Sequence, residues 1–249
     1  MTNQEIAACA EALTQARRSG KWIEALPAAP SSVSEAHIIQ DRVATALGEA
    51  VGGFKINAPP GQEPTRGLIY ARMIRPSPAR IALAEGPHLG VEAEIAFRFT
   101  RDLPARDAAY GREETVEAMA VLPAIEVVSS RFRDPLARPP LEQLADSLIN
   151  GALVPGTETR EWSRLDLARL HVRLQVNGET VVSQQSGHVA GDPAGFAVAL
   201  VNAMRGAGGV NAGQIVTTGS WTGLRFLKPG DRCSIHFEKL GGAEVAFES

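Results

Sequence analysis

The chain has 249 residues, a mass of 26.4 kDa and a formal net charge of −3 from 25 Lys+Arg and 28 Asp+Glu. So even a balance excludes the dense basic patch that grips a phosphate backbone, and 44% hydrophobic residues exclude wholesale disorder. Cys9 and Cys233 are far apart and in no CxxC spacing, which excludes a disulfide scaffold and a thiolate zinc site, and no run approaches the ~18 apolar residues that span a bilayer. The expectation is a cytoplasmic protein with neither nucleic acid nor membrane as partner.

In chain order, the first element is a helix over residues 4–18, where Ile6, Ala10, Leu13 and Ala16 recur at helical spacing and Ser19-Gly20 ends the run. Ser34 is placed to cap a second helix, with the stripe Ile39, Val43 and Leu47 and a stop at Gly48. From Val51 the texture turns to short β runs, at residues 53–56, 67–74 and 90–100. A helix follows over 112–119, then a strand over 122–128. Asn177-Gly178 predicts a tight hairpin between strands 172–176 and 179–182. Asp192-Pro193 opens a helix to about Arg205, and strands at 214–218, 232–238 and 244–247 finish the chain. No linker or repeat divides the sequence. The fold class is α+β, one domain over 1–249: a small helical subregion (1–50) on an irregular β-roll or sandwich (51–249).

Glu92 and Glu94 are two apart on a strand and so point to one face. Paired carboxylates there repel, and burying them needs something positive between them. A hard divalent cation meets that need with oxygen ligands. Glu126, alone in Leu122-Pro-Ala-Ile-Glu-Val-Val128, also needs a partner. Spacing leaves two readings open: a three-glutamate metal site, or a solvated strand face with a salt-bridged Glu126. Lys55 is either a group that neutralises a substrate carboxylate or acts as an acid, or an edge-strand lysine. The segment Thr217-Thr218-Gly219-Ser220-Trp221-Thr222 suits anion binding or an ordinary turn. No GxSxG, phosphate-binding loop or GxGxxG occurs.

The ordered set Gly53-Phe54-Lys55-Ile56, Glu92-Ala93-Glu94-Ile95-Ala96-Phe97, Pro123-Ala124-Ile125-Glu126, Ala145-Asp146, Gly213-Gln214-Ile215-Val216-Thr217-Thr218-Gly219-Ser220 and Pro229-Gly230-Asp231 resembles the 2-keto-4-pentenoate hydratase / 4-oxalocrotonate decarboxylase family, within the fumarylacetoacetate hydrolase superfamily. The likeness covers nearly the whole chain. It implies a mixed β-roll of the fumarylacetoacetate hydrolase C-terminal type, Mg²⁺ or Mn²⁺ held by Glu92, Glu94 and Glu126, and a homo-oligomer. It implies catalytic roles for Lys55 and Asp146, and substrate contacts from Thr218 and Ser220. In such a site a 2-oxo acid chelates the metal, which stabilises the enolate formed in tautomerisation or decarboxylation. The implied reaction is addition of water to a 2-hydroxy-2,4-dienoate. A 4-oxalocrotonate decarboxylase-like activity and a non-catalytic oxo-acid binder are the alternatives.

The chain departs from the family pattern in four places. Asn57-Ala58-Pro59 stands for Gly-Leu-Thr, Arg72 for an Asp before Met73, Ser129 for an Asp, and Ser147 for an Asn. Arg72 is expected on the strand 67–74, either exposed or facing the cavity, where it would pair with the second acid group of a dicarboxylic substrate.

Overall fold

The computed structural model describes residues 1–83, 88–185, 188 and 191–248. Two helices lead, α1 (Asn3–Ser19) and α2 (Val33–Leu47), followed by β1 (Val51–Asn57), β2 (Thr65–Tyr70), β3 (Ala79–Ile81) and β4 (Gly90–Phe99). Then come α3 (Arg112–Glu117), β5 (Met119–Val128), α4 (Pro140–Ala145), β6 (Asn150–Pro155), β7 (His171–Val176) and β8 (Glu179–Gln185). The chain ends with α5 (Pro193–Met204), β9 (Ile215–Ser220), β10 (Arg225–Phe226), β11 (Arg232–Phe237) and β12 (Gly241–Phe247).

The strands form two sheets. A seven-stranded mixed sheet runs β2-β1-β9-β4-β5-β6, with β10 also on β4, and a five-stranded sheet runs β3-β12-β11-β7-β8. Ile95, Phe97, Ile125 and Val127 of the first sheet share one apolar cluster with Val172, Leu174, Ile235, Phe237 and Val245 of the second. The core therefore lies between the sheets. Every second residue of β4 points into it, so Glu92, Glu94 and Ala96 occupy the opposite face, where only the small cluster Ile69, Ala96, Leu122, Ala124, Leu153 and Ile215 packs.

The helical subregion has its own core of Ile6, Cys9, Leu13, Ile39, Val43, Phe132 and Leu144. Thr2 and Glu5 form a reciprocal capping box on α1. Ser32, not Ser34, caps α2: the Ser32 hydroxyl accepts from the Glu35 N–H at 3.2 Å, two residues earlier than the sequence suggests. The buried Gln40 amide docks α2 on the β body. It donates to the carbonyls of Arg66 and Leu144 and accepts from the Leu68 N–H.

One turn below, His37 accepts the Arg66 N–H on Nε2 at 3.1 Å. Burial, with the Arg66 charge beside it, pushes the His37 pKa down to about 4. The unfolded chain thus binds a proton that the folded chain refuses, and stability present above pH ~6.5 is lost as pH falls toward 4. Urea unfolding of the wild type is expected to lose roughly 1–3 kcal/mol more over that window than His37→Gln does. Parallel pH profiles for the two proteins would assign the loss elsewhere.

Two expected boundaries move. The strand expected over 67–74 ends at Tyr70, and residues 71–73 form a 3₁₀ turn that carries Arg72. The helix over 112–119 stops at Glu117, because Met119 already begins the ten-residue β5. The Asn177-Gly178 hairpin is present, with both residues at positive φ (52° and 87°).

Candidate metal and substrate site

Glu92 of β4 lies directly opposite Glu126 of β5, and Glu94 opposite Ser220 of β9. The strand register alone thus brings three carboxylates to one face. A carboxylate oxygen from each lies within 4.8 Å of the other two. Glu94 and Glu126 are fully buried, and Glu92 is nearly so. The fourth charge comes from β1. Lys55 Nζ is 3.0 Å from Glu126 Oε1 and 3.8 Å from Glu92 Oε2, and it donates to the Leu148 carbonyl at 3.3 Å.

One lysine does not balance three buried carboxylates. Burial, followed by the nearby Glu126 charge, raises the Glu94 pKa well above the usual carboxylate range. Glu92 is raised by burial against the opposing pull of Lys55, and the Ser220 hydroxyl beside it adds a weaker downward pull without a well-formed hydrogen bond. For Lys55, burial works against the charge, but Glu126, Glu92 and Glu94 outweigh it and its pKa is raised. Several oxygens have hydrogen-bonding capacity to spare: Glu94 Oε1, Glu126 Oε2, Thr217 Oγ1 and Ser220 Oγ are buried without a partner. Buried polar atoms in folded proteins are nearly always satisfied, so two orphaned carboxylate oxygens within a cluster of three carboxylates fit a hard divalent cation.

The remaining carboxylate oxygens are held in place. The Gly219 N–H donates to Glu94 Oε2 at 2.9 Å, and Asn150 Nδ2 donates to Glu126 Oε1 at 3.0 Å. Sequence reasoning missed Asn150. Its signal was a polar residue opening the apolar run Asn150-Gly-Ala-Leu-Val-Pro155.

The expected residues do not all meet. Thr218 is buried beside the site, but its hydroxyl donates to the Ile95 carbonyl at 2.7 Å. Asp146 sits outside the carboxylate cluster. It accepts from the Ser130 hydroxyl at 2.7 Å and the Arg131 N–H at 2.9 Å, and pairs with the Arg131 Nε. Arg72 leaves the cluster too: its guanidinium pairs with Glu49, and its side chain is 52% exposed. The turn after Asp146 explains the separation. Ser147, Leu148 and Ile149 all have positive φ (58°, 53° and 56°), a strained left-handed run that turns Asp146 toward Arg131 and the Leu148 carbonyl toward Lys55.

Gly67, opposite Lys55 in the β1–β2 pair, lets that turn approach, since a Cβ there would lie 2.4 Å from the Ser147 carbonyl oxygen. Gly67→Ala is expected to lower stability by about 1–3 kcal/mol by urea unfolding and to reduce turnover through the displaced Leu148 carbonyl. Unchanged stability would mean that the turn yields freely.

The family model described as fumarylacetoacetate (FAA) hydrolase C-terminal matches residues 45–247. The chain belongs to this family. The 2-keto-4-pentenoate hydratase of Paraburkholderia xenovorans (strain LB400) is 29% identical over 264 residues, covering 100% of this chain and 97% of the relative. The 4-oxalocrotonate decarboxylase of Pseudomonas sp. (strain CF600) is 27% identical over 161 residues, 64% of this chain and 60% of its own. The solved 4-oxalocrotonate decarboxylase from Pseudomonas putida G7, complexed with magnesium and adipate, superposes with a TM-score of 0.84 at 24% identity, covering 99% of this chain and 98% of its own. The last likeness confirms the fumarylacetoacetate hydrolase-type α+β fold, with its leading helices included.

Proposed function

We propose that the chain is a divalent-metal-dependent hydro-lyase that adds water to a 2-hydroxy-2,4-dienoate to give a 4-hydroxy-2-oxo acid, as in the breakdown of aromatic compounds. The carrying observation is the convergence of Glu92, Glu94 and Glu126 beside Lys55, with Glu94 Oε1 and Glu126 Oε2 buried and unpartnered. Full-length similarity to hydratases supports the choice of reaction.

Glu92, Glu94 and Glu126 would hold Mg²⁺ or Mn²⁺. When bound, the cation would draw electron density from the oxygens of a 2-oxo acid and steady the negative charge that builds there. The chain's own residues supply the rest. Gly219 and Asn150 fix the rotamers of Glu94 and Glu126, so the ligand oxygens are set before substrate arrives. Lys55 stays protonated and places its ammonium beside the same oxygens, where it can neutralise the substrate carboxylate or deliver a proton. The unpartnered hydroxyls of Thr217 and Ser220 are free to donate to substrate. Asp146, held by Arg131, would position the 147–149 turn rather than exchange a proton itself.

Product analysis tests the reaction. Supplied with 2-hydroxypenta-2,4-dienoate and Mg²⁺, the chain is expected to form the 4-hydroxy-2-oxo acid. Release of CO₂ from 4-oxalocrotonate without hydration of the dienoate would favour the decarboxylase instead. Inertness toward both would leave a binder.

We further propose a cytoplasmic homo-oligomer. No helix among the described residues is long and apolar enough to cross a membrane. The apolar face of α5 is not available for assembly, because Phe196, Ala197, Leu200 and Val201 are buried in the chain's own core. Exposed Trp22, Ile38 and Leu136 on the helical side are the better candidates. Light scattering is expected to give a multiple of 26.4 kDa; the monomer mass at micromolar concentration would exclude assembly.

A further inference from the structure

A cavity of about 340 Å³ opens where the C-terminal turn of α1 meets the ends of β5 and β6. Its charged lining is wholly basic: Arg17, Arg18, Lys21, Arg72 and Arg131. Two of these cations are accounted for outside the cavity. Arg72 pairs with Glu49, and Arg18 donates to the Ala46 carbonyl at 2.7 Å.

Arg17 is different. Its side chain is nine-tenths buried, yet the guanidinium makes no hydrogen bond among the described residues, and its Nε is fully buried without a partner. The nearest anion is Asp146, 3.6 Å away, and that carboxylate is already taken by Arg131 and the Ser130 hydroxyl. The Tyr70 ring lies 4.9 Å from the guanidinium centre, which favours the charge but satisfies no N–H. Arg131, also buried, spends its donors on Asp146 and the Asn150 carbonyl. Two buried guanidinium groups thus share one carboxylate, leaving one positive charge in surplus.

The usual reason for a basic residue in the last turn of a helix is the dipole. Exposed Arg18 meets that need. It does not explain a guanidinium whose Nε is fully buried without a partner and whose nearest anion is already taken. A planar anion that accepts two parallel N–H bonds, the geometry of a carboxylate, would satisfy such a group.

We propose that this cavity is a carboxylate-binding subsite in which Arg17 is the ligand, with the positive charge of Arg131 beside it. It lies close to the metal site: Arg131 donates to the Asn150 carbonyl at 3.0 Å, and the Asn150 side chain donates to Glu126. The carboxylate comes either from the far end of a dicarboxylic 2-oxo acid held at the glutamates or from a free carboxylic acid. The first source rests on the proposed function; the subsite itself does not.

The test is calorimetric titration of the chelator-treated protein with acetate, which involves neither metal nor turnover. Saturable binding on the order of millimolar is expected, weakened at least ~10-fold in Arg17→Gln and retained in part in Arg17→Lys. No saturation with the wild type, or equal binding by wild type and Arg17→Gln, would overturn the proposal. Should Arg17→Gln fail to fold, wild-type saturation and the Arg17→Lys titration decide. With Mg²⁺ added, 2-oxoadipate binding at least ~10-fold tighter than pyruvate, with the gap closed in the Arg17 variants, identifies the substrate's far end as the source. Simultaneous, independent binding of pyruvate and acetate identifies a free acid. Acetate binding without any turnover of dienoates would count against the reaction and leave the subsite standing.

Discussion

Glu94→Gln should stabilise the metal-free protein by about 1–3 kcal/mol while abolishing the stabilisation that Mg²⁺ or Mn²⁺ gives the wild type. The two effects have one cause. Glu94 is fully buried, faces Glu126 and Glu92, and has only the Gly219 N–H on one oxygen. A neutral amide of the same shape removes a buried like charge but also removes a cation ligand. Thermal unfolding in chelator at pH 8 reads the first effect, and the shift on adding metal reads the second. If Glu94→Gln destabilised the metal-free chain and still responded to metal, the carboxylate would be structural.

Lys55→Met carries the largest expected loss of activity. It removes the only positive side chain touching the carboxylate cluster among the described residues, leaving Glu126 with Asn150 alone. Stability of the metal-free protein should fall by about 3–5 kcal/mol, the range for one partner left unpaired in a buried ion pair. With metal bound the cation replaces the lost charge, so folding should recover while turnover stays roughly 10²–10⁴-fold down. Steady-state rates at saturating metal separate the two roles. Full activity in metal-loaded Lys55→Met would reduce Lys55 to a counter-charge.

Much of this site is legible in the sequence because strand geometry is local. Glu92-x-Glu94 states its own face, and the apolar run around Glu126 shows that its carboxylate is buried. The Asn177-Gly178 hairpin and the Asp192-Pro193 helix start are local in the same way. Features that depend on distant chain are not. Strand β6 is buried along its entire length and shows no alternation. The start of β5 at Met119 falls in the stretch read as helix, and Pro123 lies inside the strand. Its carbonyl accepts from Gly156 past the end of β6, so its missing N–H also faces a side where no ladder bond is needed. The placement of Asp146 depends on a left-handed turn made by three non-glycine residues, which no propensity favours. Arg72 is drawn off by Glu49, a partner that only the packed fold brings near.

Metal add-back to chelator-treated protein, with 2-hydroxypenta-2,4-dienoate as substrate, tests the reading most directly. Turnover should vanish in chelator, return on titration with Mg²⁺ or Mn²⁺ to saturation at one ion per chain, and fail to return in Glu126→Gln at the same metal concentration. Turnover that persists in chelator, or that returns equally in Glu126→Gln, would contradict a metal-dependent hydratase built on Glu92, Glu94 and Glu126.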